Sequence, residues 1–205
     1  MAEPGDRRPI AARTAPVFVA IADWLIRRRV SPNAISVAGM VAGCLAGVAL
    51  AEAPGGRLHW LVGAALVQLR LLANMLDGMV AVGRGVTSPV GELYNEIPDR
   101  VADTAVLVGM GVAAGSVAFG FAAALAAIAT AYVRAVGRGL GQGSDFCGPM
   151  AKPHRMAVVT IGALVCAVVP SLATSEPVAV LFIITALATL TAARRLARIV
   201  RKLVP

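Results

Sequence analysis

Charge is scarce in this chain. Only 15% of its residues are charged against 58% hydrophobic, and the mean hydropathy is +0.78, which excludes an ordinary soluble domain of this length. Cysteine is scarce too. Cys44 and Cys166 fall inside apolar runs and Cys147 lies in a basic loop, so no disulfide framework is present and all three read as free thiols. Histidine occurs twice, at His59 and His154. The topology derived below sets the two on opposite sides of the membrane, so neither can join the other in one site, and no zinc pattern competes with other metal chemistry. There is no internal repeat and no low-complexity linker. The first of these absences argues against a small transporter built around a repeat interface.

What is present is mostly Ala, Val, Leu and Gly. Small residues let helix backbones approach closely where lipid supplies no hydrophobic drive for association, so a compact bundle is expected. Small residues on the third to sixth spans permit a homodimer without demanding one. The formal charge is +8, but the basic residues gather at the ends of apolar segments instead of covering a polar face. Anionic membrane lipids and phosphate substrates account for that placement, and no nucleic-acid partner is expected.

About 18 to 22 residues of helix cross roughly 30 Å of hydrocarbon. On that measure the chain reads as an all-α, integral membrane bundle of six transmembrane helices, at about 34–52, 59–82, 92–114, 117–137, 156–172 and 177–194. The breaks fit local chemistry. Ser31-Pro32-Asn33 resembles an N-cap with Pro at the first helical position, Pro54-Gly55-Gly56 is a turn, and Gly115-Ser116 separates the third and fourth spans. Arg27, Arg28, Arg29, Arg84, Arg134, Arg138, Lys152, Arg155 and the run from Arg194 to Lys202 all fall on one side, whereas the opposite loops hold only Arg57. The positive-inside rule then makes both termini cytoplasmic, in a multi-pass protein of the cell inner membrane.

Residues 1–30 form a cytoplasmic N-terminal segment, and 31–205 the membrane domain. Within the segment, Val17, Phe18, Ile21, Trp24, Leu25 and Ile26 precede the arginine triplet. A signal peptide carries its basic cluster first, so this order points to an interfacial amphipathic helix.

Polar groups interrupt the second and third spans: Asn74, Asp77, Asn95, Asp99 and Asp103, with Glu92 and Glu96 beside them. Ionisable groups in membrane helices are costly and mark a wet cavity or a functional site. Asn74 and Asp77 are three apart, while Asn95, Asp99 and Asp103 are spaced four and four, so each set makes one stripe. The short connection between the two spans predicts antiparallel neighbours whose stripes meet. Oxygen donors from two rigid helices suit a hard divalent cation such as Mg2+ or Mn2+, shared with substrate phosphates.

The run Asn74-x2-Asp77-Gly78-x2-Ala81-Val82-x8-Gly91-x3-Asn95-x3-Asp99 resembles the signature of the CDP-alcohol phosphotransferase family, D-x2-D-G-x2-A-R-x8-G-x3-D-x3-D, at every spacing. The resemblance implies that Asp77 and Asp99 are catalytic. Asp77 would coordinate metal and the diphosphate, and Asp99 would ligate metal or act as base. Metal would be drawn from Asn74, Asp77, Asn95, Glu96, Asp99 and Asp103. Gly78, Ala81, Arg84, Gly91, Lys152 and Arg155 would surround the nucleotide and phosphates. The substrate implied is CDP-diacylglycerol or a similar CDP-lipid, from which a phosphatidyl group passes to an alcohol acceptor with release of CMP, a step of phospholipid biosynthesis.

Three signature positions depart from the family. Two acids are the amides Asn74 and Asn95, and the arginine after Ala81 is Val82. Two negative charges are thereby lost, so metal affinity or metal count should fall. Glu96, Asp103 and Arg84 are the nearby candidates for compensation. The departures also leave open a degenerate family member acting as a lipid- or nucleotide-binding or accessory membrane protein. Arg70, four residues before Asn74, pairs with the acidic site, pairs with Asp103, or snorkels. Lys152 and Arg155 in the fourth loop suit phosphate oxygens, with plain positive-inside topology as the alternative reading.

Overall fold

The computed structural model describes residues 11–86 and 89–204. The start of the N-terminal segment, residues 1–10, and residues 87 and 88 in the connection between the second and third expected spans lie outside the described residues. Seven α-helices occur among the described residues: α1 (Pro16–Arg27), α2 (Pro32–Ala51), α3 (Arg57–Gly83), α4 (Pro89–Ala113), α5 (Val117–Gly139), α6 (Lys152–Val168) and α7 (Glu176–Leu203). There is no strand among them. Prolines stand in the first two positions of α1, α2, α6 and α7, where a missing N–H removes no helical bond. Ser116 caps α5 by accepting the Phe119 N–H.

α2, α3, α5 and α7 are long and apolar enough to cross a membrane. α4 is 25 residues long but carries Glu92, Glu96, Asp99, Arg100 and Asp103, and α6 is 17 residues long. Large apolar side chains such as Val48, Phe121, Leu125, Ile161 and Phe182 stand exposed on the outside, a surface for lipid tails that marks a membrane protein. Two boundaries differ from expectation. α6 begins at Lys152, because Pro153 favours a helix start, and stops at Val168 just before Pro170. α7 runs to Leu203 because Arg194 to Lys202 end the hydropathy without ending the helix.

The six longer helices close a ring in the order α2, α3, α6, α7, α5, α4 and back to α2, and α1 lies against α3. α3 and α4, expected to be direct neighbours, each pack chiefly on α2. The reason is a glycine repeat, Gly39, Gly43 and Gly47, which gives α2 a bare face along its length. A Cβ on Gly39 would come within 2.9 Å of the Ala73 Cβ of α3, while one on Gly47 would overlap the Ala105 carbonyl of α4. The core below this contact holds Leu50, Trp60, Val67, Leu107, Met110, Met156, Leu181 and Ile184.

Candidate active site

Where α2 draws α3 and α4 together, their polar stripes face a narrow cleft lined by Ser36, Gly39, Met40, Arg70, Asn74, Asp77, Asn95, Pro98 and Asp99. Asp77 projects from α3 and is 5% exposed. The Ser36 hydroxyl of α2 donates to its Oδ2 at 2.6 Å. Asn74 spans the gap to α4, its Nδ2 donating to Asn95 Oδ1 at 2.9 Å and to Asp99 Oδ1 at 3.2 Å. Pro98 interrupts the α4 hydrogen-bond ladder one residue before Asp99.

Cations reach Asp99 from two sides. Arg70 Nη2 of α3 lies 3.1 Å from Asp99 Oδ1, and Lys152 Nζ of α6 lies 2.5 Å from Asp99 Oδ2. Arg100 adds a longer pair at 3.5 Å. One turn deeper, Asp103 is 2% exposed and holds two buried guanidiniums, Arg70 at 2.6 Å and Arg155 at 2.6 Å. The open alternatives for Arg70 thus resolve into both pairings at once. Arg155 also donates to the Met150 carbonyl, which ties the loop before α6 to this network.

Other expected site residues sit around the rim. Glu96 pairs with Arg134 of α5 at 2.5 Å and with Arg100 at 3.7 Å, and Glu92 pairs with Arg138. Gly78 and Ala81 follow Asp77 along α3, and Gly91 lies in the first turns of α4. Arg84 turns to the α1–α2 connection, where its Nη1 donates to the Val30 carbonyl at 3.0 Å and the Arg29 carbonyl at 3.4 Å. Ser36 and Arg13 were not anticipated. Ser36 could have been noticed as a hydroxyl in an otherwise apolar span. Arg13 carried no signal; its guanidinium would stand 3.9 Å from a Cβ on Gly78.

A second cleft is lined by Arg134, Gln142, Asp145, Arg198 and Lys202 between α5, the following loop and α7. Burial pushes the Asp145 carboxyl up, but the Cys147 N–H that it accepts, together with Arg198 and Arg195, outweighs this and holds it below the usual carboxylate range.

Asn74, Asp77, Asn95 and Asp99 offer oxygen donors to one cleft, the chemistry that a hard divalent cation requires. Among the described residues no three His, Cys, Asp or Glu side chains gather as a metal-holding group. Amide oxygens stand beside Asp77 and Asp99 where a purely carboxylate set would otherwise be needed.

No family model matches the chain. Over 93 residues, 45% of its length, it is 38% identical to a phosphatidylinositol phosphate synthase of Streptomyces avermitilis. Over 90 residues it is 36% identical to the enzyme of that name from Mycobacteroides abscessus. The matched stretches span only 36% and 39% of those relatives. In fold the likeness is wider. The crystal structure of Mycobacterium tuberculosis phosphatidylinositol phosphate synthase with CDP-DAG bound superposes with a TM-score of 0.74 at 25% identity, covering 90% of this chain and 94% of that one. The same enzyme in complex with manganese and citrate gives a TM-score of 0.74 at 23% identity, over 89% of this chain and 88% of that one. These likenesses bear out the resemblance to the CDP-alcohol phosphotransferases.

Proposed function

We propose that this chain is a membrane phosphatidyltransferase that moves a phosphatidyl group from a CDP-linked lipid, such as CDP-diacylglycerol, to an alcohol. The observation that carries this reading is the meeting of Asn74, Asp77, Asn95 and Asp99 in one cleft, in the order and spacing of the signature. Relatives named phosphatidylinositol phosphate synthase, one of them solved with CDP-DAG, support it.

In this reading Asp77, Asp99 and the oxygens of Asn74 and Asn95 hold a divalent cation, Mg2+ or Mn2+, which when bound neutralises charge on the diphosphate. Ser36 fixes the Asp77 carboxylate. Gly78 and Ala81 leave room for the nucleotide beside it. The acceptor oxygen forms a bond to the phosphorus that carries the diacylglycerol, and the bond from that phosphorus to the CMP oxygen breaks. Asp99 is the carboxylate that the signature assigns to metal or to the hydroxyl proton. Lys152 beside it offers charge to the phosphate oxygens.

The setting follows from the same placement of charge. α2 to α7 make six crossings within a membrane domain of residues 31–205, and α1 lies in the cytoplasmic interface of the cell inner membrane with both termini on that side. Acyl chains stay in the bilayer while the polar reaction occurs in a wet cleft. In support, Trp24 is exposed beside Arg28, whose guanidinium lies 5.8 Å from the ring centroid.

Asp77→Asn or Asp99→Asn should abolish metal-dependent CMP release from CDP-diacylglycerol without affecting membrane insertion, and unchanged turnover would reject the assignment. A second reading, a lipid- or nucleotide-binding accessory protein, is favoured by the cations already seated on Asp99. Nucleotide binding without turnover across a panel of acceptor alcohols would select it.

A further inference from the structure

The carboxylates of the acidic centre do not outnumber the cations around them. Its carboxylates Asp77, Asp99 and Asp103 are equalled in number by Arg70, Lys152 and Arg155, each within hydrogen-bonding reach of Asp99 or Asp103. Arg100, the remaining cation near Asp99, is shared with Glu96. Carboxylates at positions 74 and 95 would add two negative charges, the amount that one divalent ion neutralises. Here those positions are amides that hydrogen-bond to each other, and Asn74 points a donor at Asp99.

The oxygens of Asp99 are also engaged. Oδ1 accepts from Arg70 and Asn74, and Oδ2 lies on Lys152. In two-metal phosphoryl transfer the ions stand roughly 3.5–4 Å apart and clamp the attacking and leaving oxygens between them, which calls for oxygens free to face both ions. Arg70 is 1% exposed, lines the cleft, and keeps a buried Nη1 with no hydrogen-bond partner. A guanidinium fixed in this way presents positive charge toward a diphosphate without needing an ion beside it.

We infer that Arg70 and Lys152 stand in for one member of a divalent-ion pair, so that this centre receives a CDP-linked diphosphate with a single divalent cation. The inference rests on the phosphatidyltransferase reading of the same cleft. It assigns the two cations a positioning and charge-balancing role at Asp99 in addition to their attraction for phosphate oxygens.

The test is a count of bound Mn2+ by titration and electron paramagnetic resonance on the detergent-purified full chain, with and without CDP-diacylglycerol. One Mn2+ per chain with no spin-coupled pair is expected. Lys152→Met should bind Mn2+ roughly tenfold more tightly or take a second ion, because a like charge leaves the site; unchanged Mn2+ uptake in this variant would count against the charge-balancing role. The double variant N74D/N95D should take two ions and show the coupled-pair spectrum, and it decides the matter if Lys152→Met does not fold. Two coupled ions in the natural chain, or an N74D/N95D protein that still takes one, would overturn the inference while leaving the phosphatidyltransferase reading intact. Binding of neither Mn2+ nor CDP-diacylglycerol would remove that reading and the inference with it.

Discussion

Ser36 reaches Asp77 from a different helix, 41 residues away in sequence, and its hydroxyl donates to the carboxylate at 2.6 Å. The bond exists because the bare glycine face of α2 lets that helix approach α3. It gives a nearly buried carboxylate a partner where water has little access, and an unpartnered polar group there is expensive.

Removing that hydroxyl should therefore be felt twice. Ser36→Ala is expected to destabilise the fold by about 1–3 kcal/mol, read as a lower unfolding temperature in detergent, and to weaken metal-dependent CMP release. Ser36→Thr, which keeps the hydroxyl, should retain more of both. Wild-type stability and turnover in the alanine variant would show that the bond holds nothing in place.

Asp103 should behave differently from Asp99. It sits between two buried guanidiniums, and Asp103→Ala leaves Arg155 with no carboxylate and Arg70 with Asp99 alone, a change expected to cost about 3–5 kcal/mol. Loss of folded protein in size-exclusion chromatography is the expected result. Asp99→Asn, on the better exposed carboxylate, should yield folded protein that does not turn over.

The α2–α4 contact offers a packing test. Gly47→Val drives a side chain into the Ala105 carbonyl of α4 and should lower stability by at least about 1–3 kcal/mol. Gly55→Ala, where nothing lies within 4 Å, should leave the unfolding temperature unchanged. Equal tolerance at both positions would contradict the close approach.

Thr191 holds the loop that delivers Lys152. Its Oγ1 accepts the buried Met150 N–H at 3.0 Å and donates to the Leu187 carbonyl at 2.7 Å. Thr191→Val leaves the Met150 N–H unpaired, with an expected loss of about 1–3 kcal/mol and faster amide hydrogen exchange in the loop before α6. Unchanged exchange would show that the loop is held by other contacts.

The stripes Asn74/Asp77 and Asn95/Asp99 were legible because helical spacing fixes which residues share a face, whatever the helices pack against. The same spacing placed Asp103 among metal ligands, since periodicity reports a direction and not a partner; the fold gives both its oxygens to arginines. Arg84 was expected to make up for Val82 from proximity in sequence alone, whereas the turn after α3 sends it to backbone carbonyls. Ser36 was missed because a lone hydroxyl in an apolar span has no intrinsic meaning until a carboxylate faces it.

Composition, basic clusters and signature spacing by themselves determined that this is a helical membrane chain with polar stripes on two helices that follow one another in sequence. Those properties are local: hydropathy and periodicity depend only on residues a few positions apart. Tertiary structure alone decided that α2 packs between the backbones of α3 and α4, and that Arg70 and Lys152 sit on Asp99. Such contacts join residues 29 and 53 positions apart, and they depend on how closely bare glycine faces let whole helices approach.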